Sequence, residues 1–565
     1  MDSPNTKTPN ASEGITEPLP QPLPKPEEEL QISHAEDGGG SGGGRQIHGF
    51  KWVLVISSVL TSTFLFGLDT TIVADIQPAI ISEFNAIKKL PWISVAFLLL
   101  SASTTLFWGQ VYGQYNTKVL YITCVLIFEI GSIICGATQN IDGLIVGRAI
   151  CGLGGTGMYT GALTLLSIFP AEHERSMYIG LTGLTWGTGM LLGPIIGGAF
   201  TSSSATWRWG FYLNPCVAAL YFPVYIFILP SFHPRPMATR RERFSEIDVL
   251  STILLTGAYL ALLMAIQFGG VIYPWGSARI IALFVVGFVL AMAFLAQQTW
   301  SIGTSPSRRA FPLQFLRSRS LCILFILEAC ASSMLFVAVY FIPLYFQFIR
   351  HDSAIRAGVR LIPLIVFMVF TIVLNGIVMS RYGRYMPWFF AGGALGLIGS
   401  ALLFTIGVST SAGHIYGYSI LVGAGAGCFL QLPFSVVQAL VEPHLIPKAI
   451  GFVTLAQLSA PGFVLAVINA VFLNEAAGNI TKALSDVPRK TVMGILSGVG
   501  SAAFERLDER AQGLVLGYIV KGLGKGYIVA MTSGGLAIVL SVFLPRGKML
   551  EGRTNGDGDG DGNGR

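Results

Sequence analysis

The sequence predicts an all-α polytopic membrane protein with about fourteen transmembrane helices. Hydrophobic residues make up 52% of the 565 residues and charged residues only 12%, whereas about a quarter of the residues in a soluble domain are charged. A helix needs about 20 apolar residues to cross roughly 30 Å of hydrocarbon, and about fourteen such stretches lie between Trp52 and Leu544. Because every backbone polar group in lipid must be paired within the protein, we expect these stretches to be helices.

Two polar segments flank the apolar stretches. Residues 1–50 are rich in proline, glutamate and serine and contain the run GGGSGGG, a composition that buries too little apolar surface to fold. Residues 546–565 contain the acidic run DGDGDGNG. We therefore expect disordered cytoplasmic tails at 1–50 and 546–565.

The apolar stretches divide the region between the tails into three parts. Six stretches fall in 51–232, the expected N-terminal six-helix bundle, and two extra ones lie in a linker at 233–319. Six more fall in 320–545, the expected C-terminal six-helix bundle, whose last two stretches are separated by a long outer loop at 474–525. In chain order they lie near 52–74, 92–112, 119–137, 143–166, 178–199, 211–231, 249–268, 280–298, 321–347, 359–379, 387–408, 414–438, 448–473 and 526–545.

Basic residues concentrate in alternate loops and so indicate how the chain is oriented. The bias favours a multi-pass protein with both termini in the cytoplasm. Because the net charge of +6 is spread over short loops, we expect no nucleic-acid surface. Asn479 begins a glycosylation sequon in the expected outer loop, which gives weak support to this orientation. The inner loops hold Lys118, Arg175, Arg235, Arg240, Arg241, Arg243, Arg308, Arg309, Arg317, Arg319, Arg381, Arg384 and Lys448; the outer loops hold Lys88, Lys89, Arg208, Arg279, Arg350, Arg356 and Arg360.

An internal repeat indicates two related halves. GQVYGQYNTK (109–118) follows the second stretch and GIVMSRYGRY (376–385) follows the tenth, each running from glycine through a small residue to basic residues. Parallel repeats of this kind are the architecture of the major facilitator transporters, in which two six-helix bundles hold the substrate between them near the middle of the membrane. The candidate gating residues in these inner loops are Gly109, Lys118, Arg381, Gly383 and Arg384.

The fifth stretch, GLTGLTWGTGMLLGPIIGGAF (180–200), is rich in residues that weaken helices. At about 100° per residue its glycines fall on two roughly opposite faces, so neighbouring helices can approach closely from both sides. Pro194 removes one backbone hydrogen bond and should bend the helix. We expect a thin, bent helix suited to a rocking interface, or one that merely packs tightly. One face holds Gly180, Gly183, Gly187 and Gly198, and the other holds Gly189, Gly193 and Gly197.

The spacing G-x8-G-x3-GP-x2-GG, from Gly180 to Gly198, resembles the antiporter motif of major facilitator drug:proton antiporters at every position. Further segments resemble the fourteen-span branch of that family, and the resemblance runs from about residue 52 to 545. It implies export of small molecules driven by proton entry, and it is most similar to fungal toxin and multidrug efflux pumps. The further segments are LDTTIVADIQPAI (68–80), LIVGRAICGLGG (144–155), WRWGFYLNP (207–215) and YFIPLYFQFIR (340–350).

The first inner loop departs from the family pattern. The resembled family usually has an aspartate and a glycine where this chain has Gly113 and Asn116, so an inward-closed latch built on that aspartate cannot be assumed here. The second copy, with Arg381, Gly383 and Arg384, keeps the pattern better.

Four charged residues lie within the predicted spans, where each costs about 2.5 to 3.5 kcal/mol to insert. Asp69 and Arg148 are expected about 5 to 8 Å below the outer boundary, with Glu129 about midway, so the three can share one cavity. Glu129 or Asp69 is our candidate proton carrier, and Arg148 is the charge that modulates it. The alternative for Arg148 is a fixed salt bridge. For Glu328 we favour a lone acid hydrogen-bonded between helices over a role in transport.

The sequence indicates the substrate-binding residues less directly than the charged ones. Three glutamines lie in apolar, aromatic surroundings that suit a hydrophobic molecule with a few hydrogen-bonding groups: Gln347, Gln431 and Gln438. They are equally suited to hydrogen bonds between helices. Gly152, Gly154 and Gly157 match a dinucleotide fingerprint, but a long apolar helix surrounds them, so we interpret them as packing residues. No nucleophile, metal cluster or phosphate loop emerges, and we expect neither an enzyme nor a bound metal or cofactor.

These observations predict a proton-coupled exporter that works by alternating access. Its expected partners are a small-molecule substrate, protons and the lipid bilayer, and we expect a monomer in the plasma membrane, with a vesicle or vacuole membrane as the alternative location. The rival interpretations are an uptake symporter for a nutrient or metal chelate and a membrane receptor that does not transport.

Overall fold

The computed structural model of the protein describes residues 47–84, 89–171, 174–201, 203–270, 273–306, 308–484 and 507–545, together with positions 491, 492, 496 and 504. The expected tails lie outside these ranges, apart from residues 47–50. The α-helices of the described residues are, in chain order, α1 (Phe50–Phe84), α2 (Leu90–Ser103), α3 (Thr105–Tyr112), α4 (Thr117–Ala137), α5 (Ile141–Ile168), α6 (Arg175–Thr201), α7 (Trp209–Phe227), α8 (Arg240–Ser245), α9 (Val249–Phe268), α10 (Ala278–Trp300), α11 (Leu313–Leu316), α12 (Arg319–Arg350), α13 (Ala354–Val359), α14 (Ile362–Tyr382), α15 (Met386–Phe404), α16 (Ala412–Phe429), α17 (Leu432–Leu440), α18 (Ile446–Ala483) and α19 (Glu509–Val542).

Most of these helices are long and apolar enough to cross a membrane. Within the described residues 13 candidate spans meet this condition, and the bent pair α2 and α3 makes up to 14. The bend of 40° lies at Thr104, whose hydroxyl donates 2.6 Å to the carbonyl oxygen of Leu100, a back-bond that commonly bends helices. The prediction of an all-α polytopic membrane protein with about fourteen spans is therefore confirmed.

Successive spans run in opposite directions, so their ends lie on two sides of the membrane region. We call the side on which α1 begins the amino-terminal side and the other the far side. Helices α1, α4, α6, α9, α12, α15 and α18 start on the amino-terminal side, and the spans between them return to it. The last span, α19, therefore ends on the side where α1 begins.

The spans pack as two bundles and one additional pair. In the first bundle, α1 to α7, the closest neighbours are α1 with α6, α4 with α5, and α2 with α5. In the second bundle, α12 to α19, they are α15 with α19 and α16, α14 with α16, and α12 with α18 and α19. The additional pair, α9 and α10, packs on itself, and α9 also contacts α2 and α18.

Glycines let the centre of the first bundle pack tightly. A Cβ atom on Gly152 would collide with the carbonyl oxygen of Phe97 on α2, and one on Gly154 with the backbone nitrogen of Phe128 on α4. Close backbone approach of this kind is how helices associate in lipid, where the hydrophobic effect does not drive them together. The glycine run that matches a dinucleotide fingerprint therefore lies inside a packed membrane helix.

The expected outer loop at 474–525 is wrong at both ends. Helix α18 continues to Ala483 and α19 already begins at Glu509, so both helices extend beyond their apolar stretches. Lys525 forms an ion pair with Glu475 across the two helices, and Phe472 packs over Gly522. Reading apolar runs alone misses such extensions, because paired helices can stay folded where their sequences turn polar.

The sequon at Asn479 also lies in a helix rather than in a loop. Asn479 is a half-buried residue of α18, and the hydroxyl of Thr481 donates 2.7 Å to the carbonyl oxygen of Ala477 one turn earlier. Glycosylated sequons ordinarily lie in surface loops, so this setting does not fit the expectation.

Candidate functional site

One face of α6 lies directly against the backbone of α1. A Cβ atom on Gly189 would collide with the carbonyl oxygen of Phe64, and one on Gly193 with the hydroxyl of Thr71. On α1, Gly67 makes the reciprocal approach to the carbonyl of Trp186. Glycine is required at these positions because no side chain fits between the two helices.

Pro194 removes one backbone hydrogen bond from α6 at the same contact. Because proline has no N–H, the carbonyl oxygen of Met190 loses its partner within the helix. The hydroxyl of Thr71 on α1 donates to that oxygen over 3.0 Å. The backbone acceptor freed by the proline is therefore satisfied by the neighbouring helix, which ties α6 to α1 at this point.

The other face of α6 lies against the second bundle. Gly180 approaches Ile372 and Gly376 of α14, where a Cβ atom on Gly180 would lie 3.4 Å from the carbonyl oxygen of Ile372. Gly183 is covered by the side chain of Gln431, and Gly198 by that of Ile355 on α13. The glycines thus lie on two faces, as their spacing indicates, with one face inside the first bundle and the other at the interface between bundles.

A second glycine pair joins the bundles on the amino-terminal side. Gly109 of α3 meets Gly451 of α18, and a Cβ atom on Gly109 would lie 3.1 Å from the carbonyl oxygen of Pro447. The contact of Gly180 with Gly376 lies on the same side. Two glycine-to-glycine contacts therefore close the amino-terminal side of the interface in this conformation.

The remaining candidate gating residues lie at the ends of helices rather than in one cluster. Lys118 donates from Nζ over 2.7 Å to the carbonyl oxygen of Ile226 at the end of α7. Gly383 ends α14 with a positive φ of 66°, a conformation that favours glycine, while Arg381 and Arg384 are exposed. Asn116 replaces the family's glycine and caps α4, accepting from the backbone N–H of Lys118 over 2.9 Å.

A buried polar network lies next to Gly109, close to the loop where the family's aspartate is replaced. Gln110 donates from Nε2 over 2.6 Å to the carbonyl oxygen of Arg308, and its Oε1 accepts from the backbone N–H of Asp248 over 3.2 Å. Asp248 in turn accepts from the amides of Gln297 and Gln298. The network binds the first bundle to α9, α10 and the linker. No local sequence pattern predicts it.

Asp69 and Arg148 form a buried ion pair within the first bundle. Arg148 Nη1 lies 2.5 Å from Asp69 Oδ2, and Nη2 donates over 3.2 Å to the carbonyl oxygen of Asp69. The guanidinium also stacks over Phe97, and the amide of Asn214 donates to Asp69 Oδ1 over 3.4 Å. The two charges compensate each other in this conformation, as the fixed-bridge alternative expects.

Glu129 lies beside this pair without a counter-ion of its own. Its side chain is 8% exposed, and neither carboxylate oxygen has a hydrogen-bond partner among the described residues. Its electrostatic partner is the carboxylate of Asp69, of the same sign. The structure thus brings Asp69, Glu129 and Arg148 together. Asp69 is paired with Arg148, and Glu129 has no counter-ion.

The three candidate substrate glutamines do not share one place. Gln347 is half-buried near the far-side end of α12. Gln431 and Gln438 lie at and within α17, close to the amino-terminal side, where Gln438 donates to the carbonyl oxygen of Phe434. Gln431 Nε2 instead lies 3.4 Å from the hydroxyl oxygen of Tyr159 on α5, so it bridges the bundles.

Glu328 is the acid within the spans for which the sequence favours a structural role over one in transport. It lies on α12 with 0% exposure, and its carboxylate oxygens have no hydrogen-bond partner among the described residues, although the amide of Gln457 lies beside them. The amide of Gln457, on α18, is the neighbour that can donate a hydrogen bond to this carboxyl group, so the expected bond between helices stays a prediction. Glu129 and Glu328 are thus two buried acids without a counter-ion, and they lie in different bundles.

Comparison with known proteins gives a consistent result over most of the chain. The family described as Major Facilitator Superfamily matches residues 59–465. The MFS-type transporter pgmG of Aspergillus terreus is 48% identical over 513 residues, which cover 91% of this chain and 92% of that protein. The efflux pump alnA of Emericella nidulans is 44% identical, covering 88% and 91%. A phomenoic acid biosynthesis cluster MFS-type transporter of Leptosphaeria maculans is 41% identical, covering 89% and 83%.

Solved structures share the fold at low sequence identity. The human organic anion transporter MFSD10 superposes with a TM-score of 0.53 at 14% identity, covering 88% of this chain and 100% of that one. The proton:xylose symporter XylE gives a TM-score of 0.51 at 13% identity, covering 88% and 96%. At these identities the likeness concerns the arrangement of helices alone.

Proposed function

Because the chain belongs to the major facilitator superfamily, we propose that it is a proton-coupled exporter that works by alternating access. Membership makes the chain a membrane transporter of small molecules and not an enzyme. The cargo we propose is a small, largely hydrophobic molecule, such as a fungal secondary metabolite, a toxin or a xenobiotic drug. The names of the fungal relatives, which include an efflux pump and a biosynthesis-cluster transporter, support that class.

The observation that carries the proton coupling is the bare carboxyl of Glu129 beside the Asp69–Arg148 pair. An ionised carboxylate without a counter-ion is costly to bury, so Glu129 is the group in this cluster that must take a proton while the site stays closed. Movement of Arg148 toward Glu129 would release that proton and leave Asp69 to take the next one. The cluster therefore supports exchange of protons between two acids through one arginine.

The glycine contacts support the conformational half of the cycle. The bundles meet on the amino-terminal side at the contacts of Gly109 with Gly451 and of Gly180 with Gly376. A glycine-to-glycine contact has no hydrogen bond of its own, and the bond between Gln431 and Tyr159 is one that opening must break. We propose that the glycine contacts open when the transporter takes up substrate from the amino-terminal side and close when it releases substrate on the far side.

The driving force is sufficient in principle. One charge that crosses a membrane potential of 100 mV releases about 2.3 kcal/mol before any pH gradient is counted. That free energy supports a gradient of about fiftyfold for a neutral substrate. Export against such a gradient therefore needs no ATP.

We also propose that the amino-terminal side faces the cytoplasm and that the protein works as a monomer in the plasma membrane. The excess of basic residues in the loops of that side supports the orientation. Fluorescent-protein fusions at both ends of the chain, with proteolysis of intact and opened cells, test the orientation and the membrane in one experiment.

Everted membrane vesicles provide the test of function. The cargo is first identified as the metabolite that accumulates inside cells of the source organism after the gene is deleted. Vesicles that contain the protein should then concentrate this compound when a proton gradient is imposed, and an uncoupler should abolish the accumulation. Accumulation that persists with the uncoupler would contradict proton coupling, and cells that retain more compound when the protein is present would indicate uptake instead.

A further inference from the structure

Glu328 lies where the two bundles meet. It belongs to α12 of the second bundle, and beside it lie Gln457 of α18 and Tyr159 of α5, which comes from the first bundle. Tyr159 also meets the amide of Gln431, which covers Gly183 on α6. Separation of the bundles on the amino-terminal side would therefore remove Tyr159 from the surroundings of Glu328.

The neighbours of Glu328 offer it no charge compensation. Among the described residues, the titratable neighbour of Glu328 is the neutral phenol of Tyr159, and α18 presents the amide of Gln457. No charged side chain of the described part of the chain is among its electrostatic partners. Neither carboxylate oxygen lies within hydrogen-bonding distance of a partner in the described part of the chain, and the nearby amide of Gln457 is neutral, so no opposite charge stabilises an ionised form.

We infer that Glu328 is a second proton-binding site of the transporter, which holds its proton while Tyr159 and Gln431 stay in contact and releases it when the bundles part on the amino-terminal side. This inference rests on the proposed proton-coupled function. On opening, water reaches the carboxyl group, its O–H bond breaks, and the proton passes to a water molecule of the amino-terminal side. The carboxylate that remains is hydrated while the amino-terminal side is open, and it takes up its next proton from the far side after the amino-terminal side has closed, so that one proton crosses the membrane in each cycle.

The position of Glu328 distinguishes its role from that of Glu129. Glu129 lies next to the Asp69–Arg148 pair inside the first bundle, so an arginine can change its protonation. Glu328 has no such cation, and the event that changes its surroundings is the separation of the bundles themselves. The protonation of Glu129 is thus linked to the movement of Arg148, and that of Glu328 to the closure of the interface between the bundles.

Infrared difference spectroscopy of the full-length protein in lipid tests the inference without a substrate. A protonated carboxylic acid gives a carbonyl-stretch band that a carboxylate and a glutamine lack. We expect the band of the wild-type protein to lose one component in Glu328→Gln and a different component in the control Glu129→Gln. Glu328→Asp should retain the component at a shifted frequency, which serves if Glu328→Gln does not fold. A wild-type band that is unchanged in Glu328→Gln or Glu328→Asp would overturn the inference.

A locked interface tests the link to conformation. A Cβ atom on Gly180 lies 3.6 Å from the Cα atom of Gly376, so the double variant G180C/G376C is placed to form a disulfide that holds the amino-terminal side closed. We expect the Glu328 component to persist to a pH about one unit or more higher in the oxidised than in the reduced protein. An equal titration midpoint in both forms would contradict the proposed release on opening.

The two proposals fail in distinguishable ways. Substrate transport that moves no proton in the wild-type protein would remove the proposed coupling, whatever the infrared spectra show. If the wild type does move protons with substrate, Glu328→Gln should move fewer protons per substrate molecule. An unchanged ratio would overturn the role of Glu328 and leave the exporter intact.

Discussion

At the scale of single residues, the protein depends on positions where a side chain is absent or a charge is shared. Gly193 is such a position, because the hydroxyl of Thr71 and the backbone of α1 occupy the space that a Cβ atom would need. Arg148 is another, because it neutralises Asp69 in a place that water does not reach. Both residues are expected to tolerate little change, for different physical reasons.

Replacing Gly193 with alanine should destabilise the protein by about 1–3 kcal/mol, since the added methyl group forces α6 away from α1. Gly535→Ala on α19 is the matched control, because a Cβ atom there meets no atom within 4 Å. Thermal unfolding of both purified variants measures the difference. Equal midpoints for Gly193→Ala and wild type would show that the contact with α1 does not limit stability. The larger substitution Gly193→Leu should also abolish pumping, and full transport by that variant would contradict the role proposed for α6.

The ion pair of Asp69 with Arg148 should show strong coupling in a double-mutant cycle. Asp69→Asn alone leaves a buried guanidinium without its counter-ion and should cost about 3–5 kcal/mol, as should Arg148→Gln alone. The double variant removes both charges and should cost less than the sum of the single changes. Unfolding of the purified proteins by titration with denaturing detergent gives the three values, and simple additivity would argue against a buried pair.

At the scale of helices, α6 serves two neighbours at once. Its face with Gly189 and Gly193 is fixed to α1, and its face with Gly180 lies against α14 of the other bundle. Thr71 of α1 donates a hydrogen bond to the carbonyl group that Pro194 frees, so this link holds α6 to the first bundle. Motion between bundles is therefore expected at the α14 face, while the α1 face moves as one body.

A disulfide across the α14 face should stop transport reversibly. In the oxidised double variant G180C/G376C the amino-terminal side cannot open, so export should fall to background and return when a reductant is added. The single variants G180C and G376C serve as controls for the substitutions themselves. Export that continues in the fully cross-linked protein would exclude opening at this contact.

At the scale of the whole molecule, two bare acids lie in two bundles that meet through glycines. Glu129 is coupled to an arginine, and Glu328 is covered by groups from both bundles. The additional pair α9 and α10 is bound to α3 through Gln110 and Asp248, so it is expected to remain with the first bundle on that side. The coupling of proton movement to conformation is thus a property of the assembled bundles.

Substitution of Glu129 should separate exchange from uphill pumping. Glu129→Gln keeps the size of the side chain and removes its titration, so substrate exchange across vesicle membranes should continue while accumulation driven by a proton gradient is lost. Glu442→Gln, the same substitution at an acid whose side chain is 74% exposed, is the matched control. Gradient-driven accumulation at the wild-type level in Glu129→Gln would remove this acid from the coupling mechanism.

Much of the fold follows from local rules in the sequence. The number of spans follows from apolar length, and the two glycine faces of α6 follow from the helical repeat, since both depend on neighbours along the chain. The grouping of Asp69, Glu129 and Arg148 also follows, because each depth in the membrane can be counted from the end of a span. The helical ends of the supposed loop at 474–525 did not follow, since the pairing of Lys525 with Glu475 stabilises them from outside the local sequence.

The sequence by itself determined a membrane-embedded helical protein with glycine-lined helices and buried charges, because hydrophobicity and helical period act over a few turns of chain. Only the tertiary structure decided which charges are paired, which are bare, and what lies across the interface. Tyr159 and Gln431 are separated by 272 positions, and Gln110 and Asp248 by 138, so no periodic pattern links them. Such contacts depend on how whole bundles dock, which is a property of three-dimensional packing.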